Sequence, residues 1–203
     1  MSDSPTDSTR RWASFHGGHT TYGDGAGTVA EVARSAVDRD FAAFGFSEHF
    51  IVPPIDEFTP DGETSPLADR SPDWVEDYAR DVEAARQAHA GTTTIVFGAE
   101  LEYIRGAEDW TRAQVEPFPF DYFVGSVHFV REIQIDGPRP VFERAIEACG
   151  SLELLAVAYY ETLGEMIDRL RPDVVGHFDD DAADQNGERR LLHGGRQDRQ
   201  HLA

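Results

Sequence analysis

Five short apolar runs, each followed within three residues by a histidine or a glutamate, constrain this chain more than any other feature of it. The runs are Trp12–Phe15, Ala42–Phe46, Thr94–Phe97, Tyr122–Gly125 and Val174–Val175. Continuous apolar character fits strands covered on both faces, as in a parallel sheet. Between them, Val29–Arg39, Trp74–Ala88, Val141–Leu154 and Tyr159–Leu170 place apolar residues at helical spacing. Thr28, with Glu31 three residues on, has the pattern of a capping box. Strand–helix alternation within 203 residues predicts one α/β domain, either a barrel or an open sheet.

Residues just past the carboxyl ends of strands in such folds converge on one rim. Here they are His16 and His19 in FHGGH, His49 in GFSEH, Glu100 in FGAELEY, His128 in VGSVHF and His177 in VVGHFD. Asp24, in HTTYGDG, can join from the first loop. Taken singly, each has an ordinary reading: a structural histidine, an Asp-Gly turn, an ion pair. Recurrence after five successive strands favours a shared metal site. Neutral imidazoles and carboxylates suit divalent first-row ions, and more than four such donors point to more than one ion. Ions so clustered can hold a phosphate, activate a bridging water and stabilise a departing oxygen, which is hydrolytic chemistry.

Other residues read more plainly. Glu102, two beyond Glu100, is taken to point to the opposite side of its strand. His89 lies at a helix end, as a cap, and His193 and His201 lie in a polar tail. Arg131 is placed either to reach a phosphate or to make a surface ion pair. Phe50, Trp74, Trp110 and Phe129 suit a core more than a pocket wall. Cys149, the single cysteine, excludes an internal disulfide or a thiolate zinc cluster and reads as a small buried hydrophobe.

Charge narrows the partners. Asp and Glu total 38 against 18 cations, all of them Arg, for a net charge of -20. Such a surface repels phosphate backbones, so nucleic-acid binding is not expected. No apolar run reaches the roughly 18–20 residues of a membrane span, and the N-terminus lacks a signal-peptide core; the expected location is the cytoplasm. No G-x-G-x-x-G or P-loop pattern follows any strand. Residues 1–11 read as a flexible N-terminus, Pro53–Pro72 as a long loop, and residues 180–203 as a polar, disordered tail.

The segments HGGHTTYGDGAGT, GFSEHF, FGAELEY, DYFVGSVHF and DVVGHFD resemble successive motifs of the PHP (polymerase and histidinol phosphatase) superfamily, most closely its histidinol-phosphatase branch. The resemblance covers residues from about Ser14 to Asp179. It implies a distorted (β/α)7 barrel with a multinuclear centre of zinc, manganese or iron, and hydrolysis of L-histidinol phosphate to L-histidinol and phosphate in histidine biosynthesis. Carried over by position, the metal ligands are His16, His19, Asp24, His49, Glu100, His128 and His177. Asp24, Glu100 and His128 are the catalytic group. Asp179 would sit beside His177 as a weak ligand or an orienting group. His16 and His19 are separated by two glycines rather than the single residue of the commoner pattern. The late Asp-x-His pair of the superfamily is missing after Asp179, so the barrel is expected to be incomplete at its C-terminus. The 203-residue chain is then expected to be less stable and less active than a full-length relative. The alternatives are a PHP phosphoesterase of another substrate and a non-catalytic metal-binding remnant.

Overall fold

The computed structural model describes residues 12–16, 18–50 and 73–177, together with two short strands at 182–183 and 189–190. In chain order the first elements are β1 (Trp12–Ser14), α1 (Val29–Asp38), β2 (Phe41–His49), α2 (Trp74–Ala88), β3 (Thr94–Glu102) and α3 (Glu108–Val115). Then come β4 (Tyr122–Ser126), β5 (Phe129–Val130), β6 (Ile133–Gln134), α4 (Arg139–Cys149), α5 (Leu152–Leu170) and β7 (Val174–Val175). The last pair, β8 (Ala182–Ala183) and β9 (Arg189–Arg190), is antiparallel. The expectations for residues 1–11, for Pro53–Pro72, for Asp179, His193 and His201, and for most of the tail lie outside the described residues.

The five expected strands form one parallel sheet in the order β1-β2-β3-β4-β7, curled into a half-barrel. A repeated device sets its register. Asp121, just ahead of β4, accepts from the backbone N–H of Phe97 in β3 at 2.8 Å. Asp173, just ahead of β7, accepts from Phe123 in β4 at 2.9 Å. Each aspartate also donates its own N–H to the carbonyl of the same partner residue. Strand entry is therefore fixed at both ends of a peptide unit, and with it the position of every side chain beyond.

Sequence patterns explain most of the helices. Thr28 and Glu31 complete the expected capping box on α1, with Thr28 N–H donating to Glu31 at 2.8 Å and Glu31 N–H donating to Thr28 at 3.3 Å. The expected helix Val141–Leu154 is corrected, and the next one begins earlier than Tyr159. Gly150, at φ 98°, ends α4 in the left-handed region, and Ser151 caps α5 by accepting from Leu154 N–H. A left-handed residue cannot continue the helix, so one apolar pattern becomes two helices. Helix α3 and the β5–β6 hairpin were not expected.

Outward-facing Phe44, Phe46, Ile95, Phe97, Ala99 and Leu101 pack with Val29, Ala33, Trp74, Tyr78 and Val82 of α1 and α2. Phe50 joins this core, Phe129 is buried, and Trp110 is half-buried. A second cluster gathers α4 and α5, with Cys149 in it. The inner face is built differently. Tyr122 reaches from β4 across Gly98 of β3 to Gly45 of β2 and donates its hydroxyl to the Phe46 carbonyl at 2.9 Å. A Cβ at Gly98 would sit 2.3 Å from the Tyr122 ring. We expect Gly98→Ala to lower stability by ~1–3 kcal/mol in urea unfolding, the scale of core overpacking; an unchanged midpoint would mean the ring moves freely.

Candidate metal centre

Strand periodicity places Ser47 and His49 of β2, and Glu100 and Glu102 of β3, on the inner face with Tyr122. His49 pairs with Glu100 in register, so the two emerge side by side at the carboxyl end of the sheet. The loops after β1, β4 and β7 bring His16, His19, His128 and His177 to the same place.

Glu100 is the hub. Its side chain is 1% exposed, and five imidazoles surround it. Oε2 lies 3.1 Å from His16 Nε2, 3.3 Å from His19 Nε2 and 3.5 Å from His49 Nδ1. Oε1 lies 3.4 Å from His177 Nε2 and 3.6 Å from His128 Nε2. The rings also touch one another: His19 stacks on His49 at 4.5 Å between centroids, and His177 meets His16 and His128 edge to face. Asp24, 61% exposed, stands at the mouth, 4.0 Å from His19 Nδ1 and 3.8 Å from His49 Nε2. All seven candidate ligands of the sequence are thus neighbours, six in one cluster and Asp24 at its rim.

Burial would push Glu100 toward its neutral form, but hydrogen bonds from His16 and His177 and the nearby His49 and His128 outweigh it. They hold the carboxyl well below the usual range. His19 and His49 are pushed down from 6.5, first by burial, against the pull of Glu100 and Asp24. His128 goes the other way. Burial alone would lower it, yet Glu102 above all, with Asp136 and Glu100, raises it to about 10.

Among the described residues two donor groups suit a metal: His16, Glu100 and His177, and His19, His49 and Glu100, with the ligand atoms of each within 4.8 Å of one another. Glu100 is common to both, as a carboxylate bridging two ions would be. The fit has independent support. Among the described residues His19 Nδ1 is buried with no hydrogen-bond partner, and Glu100 Oε1 is met only by the long approaches of His177 at 3.4 Å and His128 at 3.6 Å. An unanswered buried polar atom costs about 1–3 kcal/mol, and a cation answers both.

Two acidic residues were missed or misread. Glu102 does not point away from Glu100: residues two apart on a strand share a face, and Leu101 between them is the one that faces the outer core. Glu102 instead reaches His128, accepting from its backbone N–H at 3.0 Å and contacting Nδ1 at 2.6 Å. Glu48, fully buried, accepts from Thr20 N–H at 2.6 Å and lies 4.0 Å from His19 Nδ1, pinning the first loop. Its signal was an acid directly before the strand-end histidine in GFSEH. His177 has φ 48°, and buried Tyr159 donates its hydroxyl to the His177 carbonyl, which holds that left-handed residue in place. Arg131 donates to the Ala148 carbonyl at the end of α4, at 2.7 Å. His89 is the C-cap of α2.

A profile of the PHP domain matches residues 16–194. The chain belongs to the PHP family. Within that family it is 30% identical over 155 residues to a Schizosaccharomyces pombe protein named "Probable histidinol-phosphatase", covering 75% of this chain and 50% of that one. It is 28% identical over 163 residues to the histidinol-phosphatase of Bacillus subtilis, covering 74% and 59%. The crystal structure of a histidinol phosphatase candidate, hisK, from Listeria monocytogenes superposes with TM-score 0.58 at 23% identity, covering 70% of this chain and 55% of that one. That likeness establishes a shared fold. This PHP chain spans about half the length of the curated relatives it matches.

The opposed shifts of these rings give the metal-free chain a signed pH profile. His19 and His49, held below 6.5, take up fewer protons folded than unfolded, so stability falls as pH drops below 6.5. The stabilisation from His128 is fully present below 6.5 and is lost as pH rises toward about 10. Urea unfolding of the chelator-treated chain should therefore show stability weakening on both sides of pH 6.5, with limbs of up to ~1.4 kcal/mol per pH unit for each proton. The acid limb is offset in part by Glu102, whose carboxyl burial pushes up. His49→Gln should flatten the acid limb. A curve rising steadily from acid to alkaline pH would contradict this account.

Proposed function

We propose that this chain is a metal-dependent phosphomonoesterase acting on L-histidinol phosphate in the cytoplasm, with residues 12–179 as its catalytic domain. The observation that carries the reading is the convergence of five imidazoles on one buried carboxylate at the open end of a parallel sheet. The histidinol-phosphatase names of the relatives support the substrate. Among the described residues no helix is long and apolar enough to cross a membrane.

In this reading His16, Glu100 and His177 hold one divalent ion, and His19, His49 and Glu100 a second, with zinc, manganese or iron as candidates. Such ions supply Lewis acidity, positive charge for the phosphate and a more acidic water. The chain's own residues do the rest. Burial keeps His19 and His49 neutral and so able to donate lone pairs. His128 presents Nε2 to the cluster, and Asp24 stands at the mouth, where it orients what enters. In the reaction, water forms a new P–O bond, the bond from phosphorus to the histidinol oxygen breaks, and that oxygen takes a proton. A net charge of -20 repels an anionic substrate at long range, so the centre must reverse the sign locally.

Phosphate release from L-histidinol phosphate tests this. The manganese- or zinc-loaded chain should turn over, and His128→Ala and Glu100→Gln should each lose about 10²-fold or more, the scale of removing a group that stabilises developing charge. Chelation should abolish release. Turnover indifferent to both substitutions would sink the proposal, and release from other phosphomonoesters alone would overturn its choice of substrate.

A further inference from the structure

Glu102 lies at the end of β3, nearly buried, on the same face as Glu100 and about 6.6 Å further along the strand at the usual rise. Its two oxygens serve one residue: Oε1 accepts from the His128 backbone N–H at 3.0 Å, and Oε2 lies 2.6 Å from Nδ1. Holding the backbone and the ring together leaves His128 little freedom to rotate. Both oxygens being engaged, Glu102 is a poor ligand itself. An imidazole hydrogen-bonded through Nδ1 must present Nε2 elsewhere, and here Nε2 faces Glu100 Oε1 at 3.6 Å. A carboxylate behind an imidazole in this way fixes which nitrogen carries the proton and makes the other a better donor.

We infer that Glu102 is a positioning residue, which orients His128 so that its Nε2 is the nitrogen presented to a divalent cation. The inference rests on the metal reading of the cluster but concerns a residue outside the ligand set. It differs from a packing role, because a glutamine of the same size fills the same space. In Glu102→Gln the new amide could accept only one of the two hydrogen bonds and would turn an N–H₂ toward the other donor. The ring would then do better with its proton on Nε2, the nitrogen the cation needs.

The test uses the full chain labelled with ¹⁵N-histidine. Metal-free parent protein should show a low-field Nδ1–H proton that disappears in His128→Ala, reporting the short bond to a carboxylate. In Glu102→Gln that proton should be lost, and zinc affinity by chelator competition should fall ~10–100-fold, the usual effect of removing such a partner. Glu102→Asp, which keeps the charge but is one methylene shorter, should recover part of the affinity. A Glu102→Gln protein that keeps the low-field proton, or binds zinc as the parent does, would overturn the inference. Far-UV circular dichroism monitors folding. If Glu102→Gln does not fold, Glu102→Asp carries the test, and parent-like zinc affinity without the low-field proton in that variant overturns it equally. Neither readout involves substrate, so a chain that binds zinc this way yet releases no phosphate would fail the proposed function and leave this inference standing.

Discussion

A carboxylate removed from water needs compensation, and Glu100, on β3, receives it from five imidazoles delivered by the ends of the other four parallel strands and the loops beyond them. Everything nearby follows from that demand. The imidazoles cannot all be protonated, since like charges a few ångströms apart repel, and burial disfavours the charged ring further. They cannot all hydrogen-bond to two oxygens either. The surplus of lone-pair donors over available protons makes the cluster suited to cations and poorly satisfied without them.

The fold serves this by separating two jobs onto two faces of one sheet. The outer face of β2 and β3 is aromatic and aliphatic and carries the helices. The inner face has Gly45 and Gly98 where Tyr122 crosses and polar residues beyond them, so that Tyr122 can lie across two strands and close the floor beneath the cluster. Asp121 and Asp173 fix where β4 and β7 enter. A one-residue slip would turn a strand's inward side chains outward, so these two side chains bear on the site from its far end.

Around the cluster stands a set of supports, none of them among the candidate ligands. Glu48 pins the first loop through Thr20, Glu102 holds His128 at backbone and ring, and Tyr159 secures the left-handed His177. Each acts on a different element. The loops that carry the histidines are thereby tied to the sheet or to α5, which suits a centre whose donors must be held close against their mutual repulsion.

The chain's pattern alone determined the parallel strands, the capped first helix and the identity of the clustered histidines with Glu100 and Asp24, because apolar periodicity and strand-end placement are local properties. Helix α3 (Glu108–Val115) escaped because its N-cap position is Ala107, which offers no side-chain cap. The hairpin escaped because its turn uses Arg131 and Glu132 at positive φ rather than the usual Asn-Gly. Only the tertiary structure decided which carboxylate is the hub, which one serves His128, and how the donors divide into two groups sharing Glu100. Those outcomes depend on strand register and on which rings meet from far apart in the chain, as His16 and His177 do, which no local pattern encodes.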